Sequence, residues 1–236
     1  MNNIPAAGFT QNNMQQQLTL GISLRDDATF DNYCSKKNEL VVHALQEQEE
    51  TFVLLFGKNG TGKSHLLQAA CHDLGQQSKP VVYLPLAEDG IMAEMLDGLE
   101  SMDLIALDDI QSVVGDEKWE LALFNLYNRA RDKGARIIVS SDVPLKALNI
   151  DLMDLKSRFS WGPTYQLELL SDEEKIKVLQ HRAKLRGLEL DDDVVIYILK
   201  RIPRDMNSLF TILEKLDQAS MIEKRKLTIP FVKNYI

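Results

Sequence analysis

Eight consecutive residues carry the sharpest chemical signal in this chain: Gly57-Lys58-Asn59-Gly60-Thr61-Gly62-Lys63-Ser64. They fit the spacing GxxxxGK[ST] without a mismatch. Glycines at that spacing let the backbone curl until its N–H groups converge, which suits phosphate oxygens. Lys63 would supply charge to β and γ phosphates, and Ser64 a hydroxyl to a magnesium ion. The loop therefore nominates Gly57, Asn59, Gly60, Thr61, Gly62, Lys63 and Ser64 as a nucleotide-holding set. A second stretch, Leu104-Ile105-Ala106-Leu107-Asp108-Asp109, is an apolar run that delivers acid at its end. Asp108 suits the metal shell beside Ser64, partly through water, and Asp109 the neighbourhood of an attacking water. Asp109 is one methylene shorter than the glutamate often found there, so hydrolysis by this chain itself stays open.

Such residues need strands to end beside them and a helix to begin beside them. Short apolar runs at 51–56, 81–85, 104–109, 136–141 and 165–169 are rich in Val, Ile and Leu. They are too short for helices and read as buried strands. Helical patterns lie between them at 63–74, 88–99, 117–131 and 154–159. Strand–helix alternation predicts an α/β core: a five-stranded parallel sheet flanked by helices. The glycine loop falls between the first strand and the first of these helices, the context its chemistry requires. Beyond Leu170 the strands stop. Ser171-Asp172-Glu173-Glu174 is a capping box opening a helix that Gly187 ends. Two more helices follow, one with Val194, Val195, Ile198 and Leu199 on a face, the other with Met206, Leu209, Phe210 and Leu213. The expected organisation is a tail at 1–25, a P-loop core at 26–170 and a small all-helical lid domain at 171–236.

The 236 residues carry a net charge of -8. Holding bulk nucleic acid needs the opposite balance, because phosphates are neutralised by Lys and Arg. Two cysteines, Cys34 and Cys71, without CxxC spacing or a His cluster, argue against zinc and fit a reducing compartment. No basic-then-apolar leader opens the chain, and no apolar run approaches membrane-spanning length. The expectation is a soluble, cytoplasmic protein without membrane contact.

One segment, Asp154-Leu155-Lys156-Ser157-Arg158-Phe159-Ser160-Trp161-Gly162, narrows the choice. With Thr29-Phe30-Asp31-Asn32-Tyr33 and the glycine loop, it resembles the AAA+ core of the bacterial replication initiator DnaA, from about residue 28 to the C-terminus. The resemblance implies an AAA+ fold with adenine nucleotide, ADP favoured over ATP, and Mg²⁺. It implies a sensor role for Asp142, a base-pocket role for Phe30 and Tyr33, and for Arg158 the role of a finger acting in trans on a neighbour's nucleotide. It breaks in three places. The chain stops at Ile236, where DnaA continues into a helix-turn-helix DNA reader. Only residues 86–103 separate the second and third strands, where DnaA has a longer helical insertion. Asn207 stands at the position of DnaA's lid arginine, with Arg204 nearby but out of register, and an amide offers phosphate no charged fork. A DnaA core without its DNA reader, together with KRKLTIPFVK at 224–233, fits the DnaA-related regulators that switch the initiator off.

In such regulators a tail peptide docks on the DNA polymerase sliding clamp. Here Gln17-Leu18-Thr19-Leu20-Gly21-Ile22 supplies alternating side chains for that purpose, with Gln17, Leu18, Leu20 and Ile22 as contacts. The expected function is to stimulate hydrolysis of DnaA-bound ATP from the clamp, touching DNA only through it. Phe124 and Asn128, one turn apart, are interface candidates, while core packing is the default for Trp161 and Tyr165. Self-association stays open. Two other classes remain: a helicase-loader-like ATPase acting on single-stranded DNA, and a small-metabolite P-loop kinase.

Overall fold

The computed structural model describes residues 28–236. Gln17, Leu18, Leu20 and Ile22, and with them the clamp peptide, lie outside the described residues. In chain order the elements are α1 (Glu39–Glu47), β1 (Phe52–Phe56), α2 (Lys63–Gln76), β2 (Val81–Pro85), β3 (Leu104–Asp108), α3 (Glu117–Lys133), β4 (Arg136–Ser141), α4 (Met153–Phe159) and β5 (Thr164–Gln166). The lid follows as α5 (Asp172–Leu185), α6 (Asp192–Leu199), α7 (Met206–Glu223) and α8 (Ile229–Val232). Among the described residues, no helix is long and apolar enough to cross a membrane.

The five strands form one parallel sheet in the order β2-β3-β4-β1-β5. Successive strand side chains point to opposite faces, and both faces are buried. Phe52, Leu54, Ile105, Leu107, Ile137 and Val139 pack against Leu123, Leu126 and Tyr127 of α3 and Leu155 and Phe159 of α4. Val53, Leu55, Leu104, Ala106 and Ile138 pack against α1 and α2 through Val41, Leu45, Leu66, Leu67 and Cys71. Each such leucine or isoleucine contributes about 1.5–3 kcal/mol by leaving water. Phe52 pairs with Ile137 and Leu104 with Arg136, so β1, β3 and β4 end nearly level. Their carboxyl ends thus share one edge of the sheet.

The lid has its own core, with Leu179, Val195, Ile198, Leu209, Leu213 and Phe231 buried together. Its entry is fixed by a complete capping box. Glu174 N donates to Ser171 Oγ at 3.2 Å, and Ser171 N donates to Glu174 Oε2 at 2.7 Å. Each satisfies an amide that the first helical turn leaves without a carbonyl partner.

Two elements differ from the sequence-based expectation. Residues 88–99 do not form an α-helix; a 3-10 turn at Ala93–Leu96 and another at Leu99–Ser101 replace it. Gly90 and Gly98 take φ of 88° and 83°, a left-handed conformation that ends a helix at both sides of a short segment. Ala93 and Leu96 still reach the core at the i, i+3 spacing that a 3-10 turn provides. The last strand sits at Thr164–Gln166 rather than 165–169, pairing with β1 alone. The stretch before β1 is helical as α1. Its last carbonyls are held by the buried Arg136, which donates to Leu45 O at 2.9 Å and Ala44 O at 3.4 Å. That partner lies some ninety residues along the chain, where no local pattern reveals it.

Candidate functional site

The glycine loop spans the gap between the end of β1 and the start of α2. Gly57 N donates to Ser141 O at 3.1 Å, which anchors the loop to β4. Gly62 closes it at φ 91°, and a Cβ there would come within 2.6 Å of Tyr33 Cε2. Only glycine serves both demands. The loop feeds straight into the first turn of a 14-residue helix, whose positive end faces it. Lys63 is buried and donates its Nζ to Gly57 O at 2.8 Å, folded back on the loop.

Loop and lid face one another across a cleft of about 330 Å³. Asn59, Gly60, Thr61, Gly62, Lys63, Ser64, Asp109 and Tyr33 line it, so most of the nominated set converges. Tyr33 donates its hydroxyl to Thr61 O at 2.9 Å and accepts from Asn38 Nδ2 at 2.8 Å. Burial pushes its phenol up to about 12, against the opposing effect of the Asn38 bond, so it stays a neutral donor that fixes the loop. Phe30 is not among the lining residues; it packs against the α1–α2 core. Gly57, Asp108 and Asp142 also lie outside the lining.

Asp108 is buried at the end of β3 and accepts from Tyr83 Oη at 2.7 Å and from Ser140 Oγ. Burial, then the Asp108 charge, drives the Tyr83 phenol far above its ordinary value, so it remains protonated. Ser140 in turn accepts from Asp109 N at 2.9 Å, tying β3 to β4. Asp109 takes a left-handed φ of 58°, uncommon for a residue with a side chain. Gln111 bridges the two strand ends: its Nε2 donates to Asp109 Oδ1 at 2.9 Å and its Oε1 accepts from Asp142 N at 3.2 Å. Asp142 itself is exposed. With two hydroxyl donors on its carboxylate, Asp108 is suited to meet a cation through water rather than directly.

Sequence reasoning missed Gln111, Tyr83 and the lid side of the cleft. That side presents Val178, His181, Arg182 and Leu185 of α5 and Met206 and Phe210 of α7. His181 and Asn32 hydrogen-bond at 2.6 Å, joining the lid to the 28–38 segment. Cys34 also lines the cleft, its thiol pushed up by burial with Lys177 acting the other way. No motif marks these residues; the α5 pattern shows an apolar face and a cap, nothing about which polar side chain turns inward.

Arg158 lies elsewhere, near the end of α4 and outside the cleft lining. Its Nε donates to Asn128 Oδ1 at 3.1 Å. Its guanidinium carbon sits 4.3 Å from the centre of the Trp161 ring and 5.9 Å from that of Phe124. Arg158 and the Phe124–Asn128 pair, each nominated on different grounds, form one cluster. Trp161 is 58% exposed, which departs from the core-packing default, because it stacks on the arginine instead of entering the sheet core. Tyr165 is half-buried against the α1–α2 core.

A family model described as the bacterial DnaA ATPase domain matches residues 24–166, and one described as the Hda lid domain matches residues 172–236. Domain III of the replication initiation protein DnaA from Thermotoga maritima superposes with a TM-score of 0.77 at 21% identity, over 89% of this chain and 96% of that one. AMPPCP-bound DnaA from Aquifex aeolicus gives 0.69 at 26% identity, over 85% of this chain and 68% of that one. The RuvB Holliday junction branch migration motor of T. maritima gives 0.66 at 18% identity, over 89% and 71%, a likeness of fold alone.

Proposed function

The chain belongs to the bacterial DnaA ATPase-domain family, with an Hda-type lid, and from that premise we propose that it regulates DnaA by completing the partner's ATPase site. The observation that carries the reading is Arg158. Its guanidinium is braced by Asn128 and Trp161 outside this chain's own cleft. A cation held there has no γ-phosphate of its own to serve and is free to serve a neighbour's. An arginine supplied in trans stabilises the charge that gathers on the transferred phosphoryl group, which is worth about 10³–10⁵ in rate.

The cleft between loop and lid would hold an adenine nucleotide, ADP in preference, as a structural cofactor. Its volume is at the small end for such sites. AMPPCP in the Aquifex DnaA supports the choice of nucleotide. Lys63 would leave Gly57 O to meet phosphate, Ser64 would hold Mg²⁺ directly and Asp108 through water. Mg²⁺ there neutralises phosphate charge. Asn207, neutral where an arginine would reach the γ-phosphate, removes a contact that would favour ATP, so the lid should discriminate poorly between ATP and ADP. The Gln17, Leu18, Leu20 and Ile22 peptide would dock on the sliding clamp, bringing the protein to DNA in the cytoplasm without DNA contact of its own.

The test is hydrolysis of ATP pre-bound to DnaA, with clamp loaded on DNA, with and without this protein. Acceleration is expected. Hydrolysis by this chain alone that rises with single-stranded DNA, and none by DnaA, would favour a helicase-loader-like ATPase instead.

A further inference from the structure

Position 207 carries no cation, yet a lid that closes on polyphosphate gains from one. Arg204, three residues before it in sequence, is turned away: it donates to Asp172 Oδ2 at 2.7 Å and to Leu199 O at 3.3 Å, and it does not line the cleft. Arg182, on α5, does line the cleft, which Lys63 and Ser64 line as well. Its side chain is only 12% exposed. Its guanidinium carbon lies 4.0 Å from the centre of the Phe210 ring, and Phe210 lines the same wall.

A guanidinium withdrawn from water is costly unless compensated. The Phe210 face supplies a cation–π contact. Glu214 stands 3.6 Å from Arg182 Nη2, beyond hydrogen-bond length for that pair, and also engages Arg186 at 3.2 Å. Ring and carboxylate hold the guanidinium on the lid side of the cleft. The planar fork can take two phosphate oxygens at once, which Lys63 as a point charge cannot.

We propose that Arg182 is the lid's phosphate-contacting cation, gripping the terminal phosphate of a bound nucleoside diphosphate from α5 in place of the arginine missing at 207. The assignment rests on the nucleotide-binding reading above. It makes the lid sense the number of phosphates rather than the identity of a γ-phosphate.

The experiment is calorimetric titration of the full chain with Mg-ADP and with AMP. Arg182→Met keeps an apolar stem over Phe210, Arg182→Lys keeps the charge, and Arg204→Ala serves as the neighbouring cation. Melting curves of each variant accompany the titrations. Arg182→Met is expected to weaken ADP on the order of 10- to 100-fold, the loss of a charge-assisted bond, and AMP far less. Arg182→Lys should recover part of the difference, and Arg204→Ala should match the unaltered chain. Equal losses for ADP and AMP, or ADP affinity unchanged in Arg182→Met, would overturn the assignment. Absence of ADP binding by the unaltered chain would remove the nucleotide reading itself, and the assignment with it.

Discussion

Arg158 of α4 donates its Nε–H to Oδ1 of Asn128 on α3, 3.1 Å away, so the guanidinium is aimed by a helix other than its own. Trp161 covers one face of it at 4.3 Å. A long side chain at a helix end ordinarily samples many rotamers; here an amide and an indole remove most of that freedom. Preorganisation of this kind is what a cation needs if it is to act when presented to another subunit.

Arg158→Ala should abolish stimulation of DnaA-bound ATP hydrolysis, a loss on the order of 10³-fold or more, with ADP binding intact. Asn128→Ala should cost about 10-fold, because the charge remains but its aim is lost. Single-turnover hydrolysis with radiolabelled ATP on DnaA measures both. Full stimulation by Arg158→Ala would remove the finger role.

Lys63→Ala should lower ADP affinity at least about 100-fold, since it would remove the cation proposed to meet phosphate. Fluorescent ADP displacement reads it. The same variant should keep its melting temperature within a few degrees, because the bond it removes within the loop is a single one to Gly57 O.

Glu120 is buried on α3 and accepts backbone N–H bonds from Gly115 at 2.8 Å, Asp151 at 3.1 Å and Leu152 at 2.6 Å. It grips the approach to α4 from the helix that also carries Asn128. Glu120→Ala would orphan those amides and should cost about 2–4 kcal/mol in urea unfolding. Loss of that grip should also lower DnaA stimulation while Arg158 is still present. A variant as stable as the parent would show the carboxylate to be dispensable.

Glu174 titrates below its ordinary value. Burial acts to raise it, but bonds from the backbone N–H groups of Ser171 and Lys36 outweigh that. A carboxyl depressed in the folded state stabilises above its unfolded value and loses that contribution as pH falls through the folded one. Stability should therefore drop on acidification below the ordinary glutamate range, and Glu174→Gln should flatten that part of the profile. Because Lys36 N to Glu174 Oε1, 2.9 Å, joins the 28–38 segment to the lid, the loss should be visible in hydrogen exchange at both. An unchanged profile in Glu174→Gln would discount the contact.

Leu18→Ala with Leu20→Ala should abolish binding to purified sliding clamp while leaving ADP affinity unchanged. Surface plasmon resonance on immobilised clamp decides it. Equal binding by the variant would separate the tail from the clamp.

The glycine loop, the strand–helix alternation and the capping box at Ser171 were all legible in the sequence, because each is a local pattern. Spacing alone dictates a phosphate-type loop, and runs of Val, Ile and Leu alone dictate buried strands. The turn at 88–101 is not legible in the sequence because apolar spacing there suits an α-helix, and the left-handed Gly90 and Gly98 break it. What tertiary structure decided is which side chains meet. Arg182 enters the cleft, Arg204 turns to Asp172, Asn128 aims Arg158, and Gln111 bridges Asp109 to Asp142. Those encounters join residues from separate elements. They depend on sheet order, helix rotation and the seating of the lid, which arise from packing across the whole chain and leave no mark on any short stretch of it.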